Sequence, residues 1–362
     1  MLEVALKVLN EICSHGFKAY IVGGFVRDYI LGNMTNDVDI CTDATPKDIK
    51  EIFENITLPG MEYGAVRLEV KKYRFDIMTF RKEISYYNNR KPMEVEYIKD
   101  LSEDLKRRDF KMNTLCMDKD GNIIDLLNGR EDIENKVIST VGDSISKFME
   151  DPLRILRAIR FYTTLGFDLG EECKLAITRT RKELSRLSYQ RKKEELDKIF
   201  CHANVKRGID ILVELGLDKE LEIDFSHCVY NTDLIGIWAS IDVFGEYPFS
   251  KNERDLIAKI REVKKLNNLD NLVLFKYGLY VNIIAGSLKG IDRKVIANKY
   301  ESLPIKHKDE VNISSNQIIG LLEIEPSKKI KEIYDDLINN ILCGKLMNNY
   351  EEISSYLVST YK

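Results

Sequence analysis

The stretch YIVGGFVRDYILGNMTNDVDI, residues 20–40, contains two patterns around which the rest of the chain can be arranged. Strand-forming residues lead to Gly23 and Gly24, and a helical pattern begins after them, which predicts strand, turn and helix in succession. Glycines let a backbone approach an anion, and the free N–H groups at a helix start attract phosphate. Arg27 would add a charged fork to the same phosphates. The stretch therefore predicts a phosphate-binding turn.

Two carboxylates follow at the end of this stretch. Asp37 and Asp39 alternate with Val38 and Ile40, so in a strand both carboxylates share one face. Two such charges repel unless a cation lies between them, and Mg²⁺ prefers hard oxygen ligands together with substrate phosphates. A solvent-facing strand edge is the alternative for Asp-x-Asp alone. Because the glycine turn and Arg27 lie upstream, we favour a magnesium site. The combined pattern resembles the head of DNA polymerase beta-type nucleotidyltransferases, which join a nucleoside monophosphate to an acceptor hydroxyl.

Composition narrows the class of protein. The chain has 362 residues, 44% of them apolar, which is enough for two or more domains with sizeable cores. Its seven cysteines form no CxxC pair, which argues against zinc and against a secreted disulfide framework. The first residues lack a signal-peptide pattern, and the most apolar stretch, residues 271–288, contains Lys276. We therefore expect a cytoplasmic protein with no membrane role, and no obligate protein partner is evident.

A third carboxylate lies on a predicted hairpin. Residues 65–70 and 73–80 alternate around a Lys-Lys turn, and Asp76 falls in the middle of the second strand. On a strand next to that of Asp39, this carboxylate could complete a metal site or orient an attacking hydroxyl. A polar residue on an open sheet face is the equally weighted alternative.

The following segment is polar. Residues 81–101 contain Pro92 and connect two better-patterned segments, so we predict a long loop, of the kind often found beside active sites. A helix capped at residues 102–104 is predicted next. Arg107 and Arg108 would point to different faces of it, one towards phosphate and the other into the structure.

The segment EDPLRILRAIRF, residues 150–161, carries an acid and three arginines at every third position: Asp151, Arg154, Arg157 and Arg160. An Asp can accept from an exocyclic amine while an Arg donates to the adjacent ring atom. Cytosine and adenine offer that pattern, and guanine and uracil offer the reverse. A mismatch would cost about 1–3 kcal/mol per missed contact. A surface ion pair in a basic helix is the alternative, and we favour the base template with Arg157 and Arg160 facing phosphates or RNA.

From residue 144 onwards the periodicity is helical, which predicts an α+β chain with an N-terminal head of about 140 residues. The net charge of −4 argues against a protein covered in nucleic-acid-binding surface. Residues 151–200 nevertheless hold 12 lysines and arginines against eight acidic residues. This excess fits either a local RNA contact or a solvated helix face.

Several motifs in the same order now make the whole chain resemble the class II CCA-adding enzymes, tRNA nucleotidyltransferases of the bacterial poly(A) polymerase family. The motifs are GGFVRD (23–28), DVD (37–39), DIMTFR (76–81), DLKRRDFKMNT (104–114), MDKDGNIIDLLNGRED (117–132), EDPLRILRAIRF (150–161) and the tail segment 313–349.

The resemblance implies a set of site residues and an architecture. Asp37 and Asp39 would hold Mg²⁺, with Asp76 as a further catalytic candidate. The nucleotide-binding residues implied by the family are Gly24, Arg27, Arg108, Asp151, Arg154, Arg157 and Arg160. A polymerase beta-type head with a mixed or antiparallel sheet (1–140) would precede an all-α neck for base selection (141–205), body (206–295) and tRNA-binding tail (296–362).

The implied activity is the addition of C, C and A to the 3′ end of tRNA from CTP and ATP without a nucleic-acid template. CC-only, A-only and poly(A) addition are rivals within the family. The intact segment 81–92 favours full CCA addition, because its loss is associated with CC-only enzymes. A small-molecule nucleotidyltransferase and an RNA-binding protein with an inactive head are the more distant rivals. Departures from the family pattern affect turns and neck packing: Thr114, Gln190, Lys192, Ser315 and Ser327.

Overall fold

The chain divides into two compact units, one formed by Met1–Ile223 with Phe244–Tyr247 and one by Asp224–Val243 with Pro248–Lys362. The structure is a computed structural model that describes residues 1–33, 35, 37–60, 64–87, 91–230 and 233–362, with the side chains of 58–60, 83–87 and 91–95 excepted. None of the helices in these parts of the chain combines the length and apolarity that a bilayer crossing requires.

The strands of the first unit are β1 (Ala19–Val22), β2 (Val38–Thr42), β3 (Ile56–Gly60), β4 (Ala65–Val70), β5 (Tyr73–Thr79), β6 (Arg81–Tyr87), β7 (Lys91–Tyr97), β8 (Cys116–Met117), β9 (Ile123–Ile124), β10 (Val137–Ile138) and β11 (Asp168–Leu169). Among the described residues, the main sheet has the order β3-β4-β5-β2-β1-β8-β9. It is mixed, because β2 and β5 run parallel while the neighbouring pairs are antiparallel. The predicted class of head is confirmed.

The helices of this unit are α1 (Leu2–Ser14), α2 (Gly24–Ile30), α3 (Pro46–Ile52), α4 (Leu101–Lys106), α5 (Gly129–Asn135), α6 (Ser144–Glu150), α7 (Leu153–Leu165), α8 (Glu171–Thr180), α9 (Tyr189–Phe200), α10 (Val205–Glu214) and α11 (Leu217–Leu221). Short 3-10 helices lie at Lys111–Asn113 and Arg181–Arg186. The predicted strand, turn and helix of residues 20–31 are confirmed.

The register of the sheet sets the positions of the acidic residues. Val22 on β1 pairs with Asp39 on β2, which pairs with Asp76 on β5. Paired residues on neighbouring strands project to the same face, so both carboxylates share a face with Val22. On that face, Val22 belongs to a buried cluster to which α4 contributes Leu101 and Leu105. Helix α4 therefore packs on the face of the sheet that carries the two carboxylates.

The predicted loop over residues 81–101 is wrong. Strands β6 and β7 form an antiparallel hairpin, and residues 88–90, which connect the two strands, lie outside the described residues. The base of the hairpin is fixed because the Ile98 N–H donates to the Phe80 carbonyl and the Arg81 N–H donates to Asp104. Pro92 does not exclude a strand here, since each strand of a two-stranded ribbon has an outer edge on which the missing N–H is tolerated.

The predicted start of the next helix is also displaced. Helix α4 begins at Leu101, and the Asp100 side chain caps it by accepting from the Ser102 N–H over 2.8 Å. It ends at Lys106, so Arg107 and Arg108 follow the helix. An acidic residue in an extended conformation before the first turn is the stronger cap, and the segment 102–104 forms that turn.

The second unit is helical, with α12 (Leu234–Ser240), α13 (Lys251–Lys265), α14 (Asn271–Ser287), α15 (Arg293–Glu301), α16 (Ser315–Leu322), α17 (Lys328–Leu342) and α18 (Tyr350–Tyr361). The two-residue strand β12 (Ile223–Asp224) begins at the last residue of the segment Met1–Ile223, β13 (Asp242–Val243) belongs to the second unit, and a 3-10 helix lies at Lys308–Glu310. Buried aliphatic residues of α14, α16, α17 and α18 form its core. The predicted helical remainder is confirmed.

Candidate active site

The glycine turn between β1 and α2 approaches two of the predicted site residues. Gly23 has φ +82° and ψ −136°, a conformation that residues with a Cβ rarely adopt. Its N–H donates to the Leu115 carbonyl over 3.3 Å. A Cβ at this position would lie 3.6 Å from Arg108 Nη1 and 3.8 Å from Asp39 Oδ2. The turn therefore brings bare backbone close to one cation and one carboxylate.

Asp39 lies on β2, the middle strand of the sheet, and Asp37 is exposed just before β2 begins. Burial, followed by the negative charge of Asp37, raises the pKa of Asp39 to about 6, against the opposing charge of Arg108. Within the described residues the Asp39 carboxylate has neither a hydrogen bond nor an ion pair. A partly desolvated carboxylate beside a second one is stabilised by a hard cation, so the two residues fit a divalent ion.

Asp76 lies next to Asp39 as predicted, but its charge is balanced. Arg67 on β4 donates to both carboxylate oxygens, from Nε over 2.7 Å and from Nη2 over 3.2 Å. In the parts of the chain that the structure describes, no group of three or more His, Cys, Asp and Glu side chains is arranged to hold a metal.

Arg27 projects from α2 into a buried position, with 6% of the residue exposed. It donates to both oxygens of Asp28, over 2.9 and 3.0 Å, and to Asn113 Oδ1 over 2.7 Å. Its guanidinium carbon lies 5.0 Å from the centre of the Phe161 ring. These contacts fix the guanidinium in one orientation at the edge of the glycine turn.

The two arginines after α4 both approach Asp104, and Arg108, unlike Arg107, is among the residues that line the cavity described below. Arg107 Nε donates to Asp104 Oδ1 over 2.8 Å. Arg108 Nη2 lies 3.8 Å from Asp104 Oδ2, and the buried Arg108 Nε has no hydrogen-bond partner among the described residues. A buried N–H without a partner is costly, so this guanidinium is incompletely satisfied by the described residues.

Helix α7 contributes two further guanidinium groups. Arg157 Nε donates to Asp109 Oδ2 over 2.7 Å, and Arg160 Nε lies 2.7 Å from Glu195 Oε2. Their guanidinium carbons are 5.7 and 4.2 Å from the centre of the Phe161 ring. Arg27 approaches the same ring, so three guanidinium groups surround one buried phenylalanine. Cation–π contacts of this kind are worth about 0.5–2 kcal/mol each.

Asp109 is an anion whose side chain is only 10% exposed. Burial alone would raise its pKa, but the Arg157 charge and hydrogen bonds from Asn113 and the Phe110 amide hold the pKa of Asp109 at about 2. It is therefore ionised throughout the physiological range and fixes Arg157 beside Phe161.

These groups line a single cavity of about 450 Å³ in the first unit. Its lining residues are Gly23, Gly24, Phe25, Arg27, Asp28, Thr35, Asp37, Asp39, Arg108, Asp109, Asn113, Arg157, Arg160, Phe161 and Lys198. The predicted residues Gly24, Arg27, Asp37, Asp39 and Arg108 are brought together here with Arg157 and Arg160.

The predicted base-selecting pair lies outside this lining. Asp151 accepts from Arg191 Nη2 over 3.0 Å and from the Leu153 N–H over 3.1 Å. Arg154 is 8% exposed and donates to Glu150 Oε2 over 2.6 Å, and to the carbonyls of residues 147 and 107 over 3.0 and 3.1 Å. In this conformation both side chains are occupied by protein partners, and Arg154 connects α6, α7 and the segment after α4.

Besides Gly23 of the predicted turn, seven lining residues were not among the sequence-predicted site residues: Phe25, Asp28, Thr35, Asp109, Asn113, Phe161 and Lys198. Asp109 and Asn113 lie four residues apart in the segment DLKRRDFKMNT, so their spacing was visible in the sequence. Their partners were not, because the Arg27–Asn113 bond spans 86 residues and the Arg157–Asp109 bond spans 48.

Comparison with known proteins identifies the family. A family model described as "Poly A polymerase head domain" matches residues 19–139, one for the RNA and SrmB-binding site of polymerase A matches residues 166–223, and one for tRNA nucleotidyltransferase domain 2 matches residues 242–357. The CCA-adding enzyme of Bacillus mycoides is 31% identical over 98% of this chain and 97% of that protein. The chain belongs to the CCA-adding enzyme family.

Other family members agree. The CCA-adding enzyme of Lactococcus lactis is 33% identical over 95% of this chain and 93% of that protein. The structure of the Bacillus stearothermophilus CCA-adding enzyme, solved in complex with CTP, matches with a TM-score of 0.86 and 28% identity, covering 98% of this chain and 96% of that one. The family expectation from the motifs is confirmed, and with it the nucleotidyltransferase class of the enzyme.

Proposed function

We propose that this chain adds CCA to the 3′ end of tRNA, using CTP and ATP without a nucleic-acid template and releasing diphosphate. The observation that carries the proposal is the cavity in which the carboxylates of Asp37 and Asp39 face the guanidinium groups of Arg108, Arg157 and Arg160. A triphosphate needs cationic partners, and an attacking hydroxyl needs carboxylates close to its target phosphorus.

Asp37 and Asp39 are the residues we assign to the cation, and Mg²⁺ fits their hard oxygens. The unpaired Asp39 carboxylate with its raised pKa supports this assignment. When bound, the ion would supply Lewis-acid stabilisation of the attacking and leaving oxygens. No contribution from Asp76 to the ion is needed, since Arg67 balances its charge. Asp76 remains a candidate for orienting the acceptor hydroxyl.

The phosphates are assigned to the glycine turn and to the arginines. Gly24 offers backbone without a side chain, and Arg108, which lines the cavity, offers a charged guanidinium donor. Arg27 is fixed by Asp28 and Asn113 before any nucleotide arrives, so little of its conformational entropy remains to be lost on binding. Arg157 and Arg160 extend the cationic wall along α7.

Asp151 and Arg154 remain our candidates for reading the base. Because they hold Arg191 and Glu150 instead, pairing with C or A requires them to exchange those partners for the base edge. An incoming base that offers the wrong donor and acceptor leaves a polar group unpaired, which costs about 1–3 kcal/mol. Release of Arg191 by Asp151 and of Glu150 by Arg154 would then be a step in nucleotide selection.

The remaining assignments follow the family. Residues 1–140 are the catalytic head, 141–205 the neck, 206–295 the body and 296–362 the tail that binds tRNA. A cytoplasmic location is part of the proposal, supported by seven cysteines that are all free thiols.

The proposal is tested by incubating the protein with Mg²⁺ and three tRNA substrates that end at the discriminator base, at C or at CC, each with CTP, ATP or both. Three added residues followed by a stop would support CCA addition. CC only, A only or a long ladder would select the corresponding rival within the family. No extension of any tRNA would refute the proposal and move the acceptor to another class, such as a small molecule.

A further inference from the structure

A continuous set of hydrogen bonds connects two arginines of the cavity through residues that carry no assigned role. Arg27 Nη1 donates to Asn113 Oδ1 over 2.7 Å, and Asn113 Nδ2 donates to Asp109 Oδ1 over 3.2 Å. Asp109 Oδ2 accepts from Arg157 Nε over 2.7 Å. The order along this network is thus Arg27, Asn113, Asp109 and Arg157, and all four residues line the cavity.

The chemistry of its two neighbours leaves Asn113 with one orientation. Arg27 can only donate, and ionised Asp109 can only accept. The amide between them must therefore present its oxygen to Arg27 and its NH₂ group to Asp109. Position 113 therefore needs a side chain that accepts a hydrogen bond on one side and donates one on the other. The neutral amide of an asparagine does both at this side-chain length. Asn113 is 6% exposed, so water cannot easily replace either bond.

The network places its two guanidinium groups around one ring. Arg27 and Arg157 lie 5.0 and 5.7 Å from the centre of Phe161. Within the described residues, the hydrogen bonds that connect these two arginines pass through Asn113 and Asp109. A shift of the Asn113 amide would therefore move Arg27 on α2. It would also displace Asp109, which holds Arg157 on α7.

We propose that Asn113 is a positioning residue that sets Arg27 and Arg157 jointly for the nucleotide. This inference rests on the proposed function, because it concerns the residues assigned to the triphosphate. Pre-orienting two guanidinium groups lowers the entropy lost on binding, so the effect falls on nucleotide affinity.

The first test compares Asn113→Asp and Asn113→Ala by equilibrium binding of CTP and of ATP in the absence of tRNA. The charged groups facing residue 113 are Arg27, Asp109, and, through those two, Asp28 and Arg157. An ionised carboxyl at this position would repel Asp109, whereas a protonated one can donate to it and still accept from Arg27. We expect Asn113→Asp to weaken binding about 10-fold at about pH 8, relative to wild type, and to recover at about pH 5.5.

Asn113→Ala should weaken binding to a similar extent at both pH values, because alanine offers no group to protonate. The matched control is Asn10→Asp on the exposed surface of α1, which should bind as wild type does. A pH-independent defect in Asn113→Asp, or none, would overturn the positioning role. If Asn113→Ala fails to fold, the comparison of Asn113→Asp with wild type across pH still decides.

A double-mutant cycle tests the joint setting of the two arginines. Asn113→Ala and Arg157→Ala should combine to a smaller loss of affinity than the product of their separate losses, although these residues do not bond to each other. Fully multiplicative losses would refute the connection. Wild-type binding of CTP and ATP without tRNA extension would refute the proposed function alone and leave this inference standing.

Discussion

Replacing Asp39 by Asn is expected to stabilise the metal-free protein while abolishing nucleotide transfer. Burial and the charge of Asp37 raise the pKa of Asp39 from 3.8 to about 6. The folded state therefore binds more protons than the unfolded state between these values, and stability falls as the pH rises through this window. At pH values above this window, Asp39 is ionised in the folded state and lowers the free energy of unfolding by its full amount.

The magnitude follows from the size of the shift. At about 1.4 kcal/mol per pKa unit, a carboxylate raised to about 6 costs about 3 kcal/mol at about pH 8. At about pH 5 the same relation leaves about half of that cost. Asn removes the charge at nearly constant volume. Asp39→Asn should thus unfold at higher temperature than wild type in chelator at the higher pH, with a smaller gain at the lower pH.

The assay is thermal unfolding followed by circular dichroism, with chelator and then with Mg²⁺. Mg²⁺ should stabilise wild type and not Asp39→Asn, because a ligand that binds the folded state raises its apparent stability. Asp120→Asn is a matched control, since Asp120 is 62% exposed in a surface ion pair with Lys119. Equal or lower stability of Asp39→Asn in chelator at about pH 8 would refute the reasoning that this carboxylate is unpaired and desolvated.

Three further predictions concern other positions. Arg154→Ala should relax selectivity against GTP and UTP and lower stability by about 2 kcal/mol, since three acceptors lose their donor; extension assays with single nucleotides and thermal unfolding test it, and unchanged selectivity would remove the template. Lys192→Met should raise stability by about 1 kcal/mol in chemical unfolding near neutral pH, because burial lowers the pKa of this 3%-exposed lysine; a loss would contradict this. Gly23→Ala should cost about 1–3 kcal/mol and weaken CTP binding, and normal binding would exclude the close approach of the turn.

Local pattern predicted the elements that surround the glycine turn. The alternation at residues 37–40 predicted β2, and the Lys-Lys turn predicted the β4–β5 hairpin. The helical spacing of residues 150–161 predicted α7. In each case the periodicity of buried and exposed positions is contained within the segment itself.

Local pattern failed where distant contacts decide the structure. Strands β6 and β7 are polar, and their pairing with each other and the anchoring of their base by Phe80 and Asp104 cannot be read from composition. Strand β3, Ile56–Gly60, was likewise missed. Asp109 was given no role from the sequence, because its partner Arg157 is 48 residues away. The hydrogen bonds of Arg154 could not be predicted for the same reason, since one of its acceptors is the distant carbonyl of residue 107.

The measurement that tests the central claim most directly is sequencing of tRNA 3′ ends after reaction with all four nucleoside triphosphates and Mg²⁺. Wild type should convert a tRNA that lacks these residues into one ending in CCA and then stop, and Asp39→Asn should add nothing. Addition of CCA by Asp39→Asn at the wild-type rate would contradict the assignment of chemistry to this cavity. Addition by wild type of any other sequence would contradict the proposed function itself.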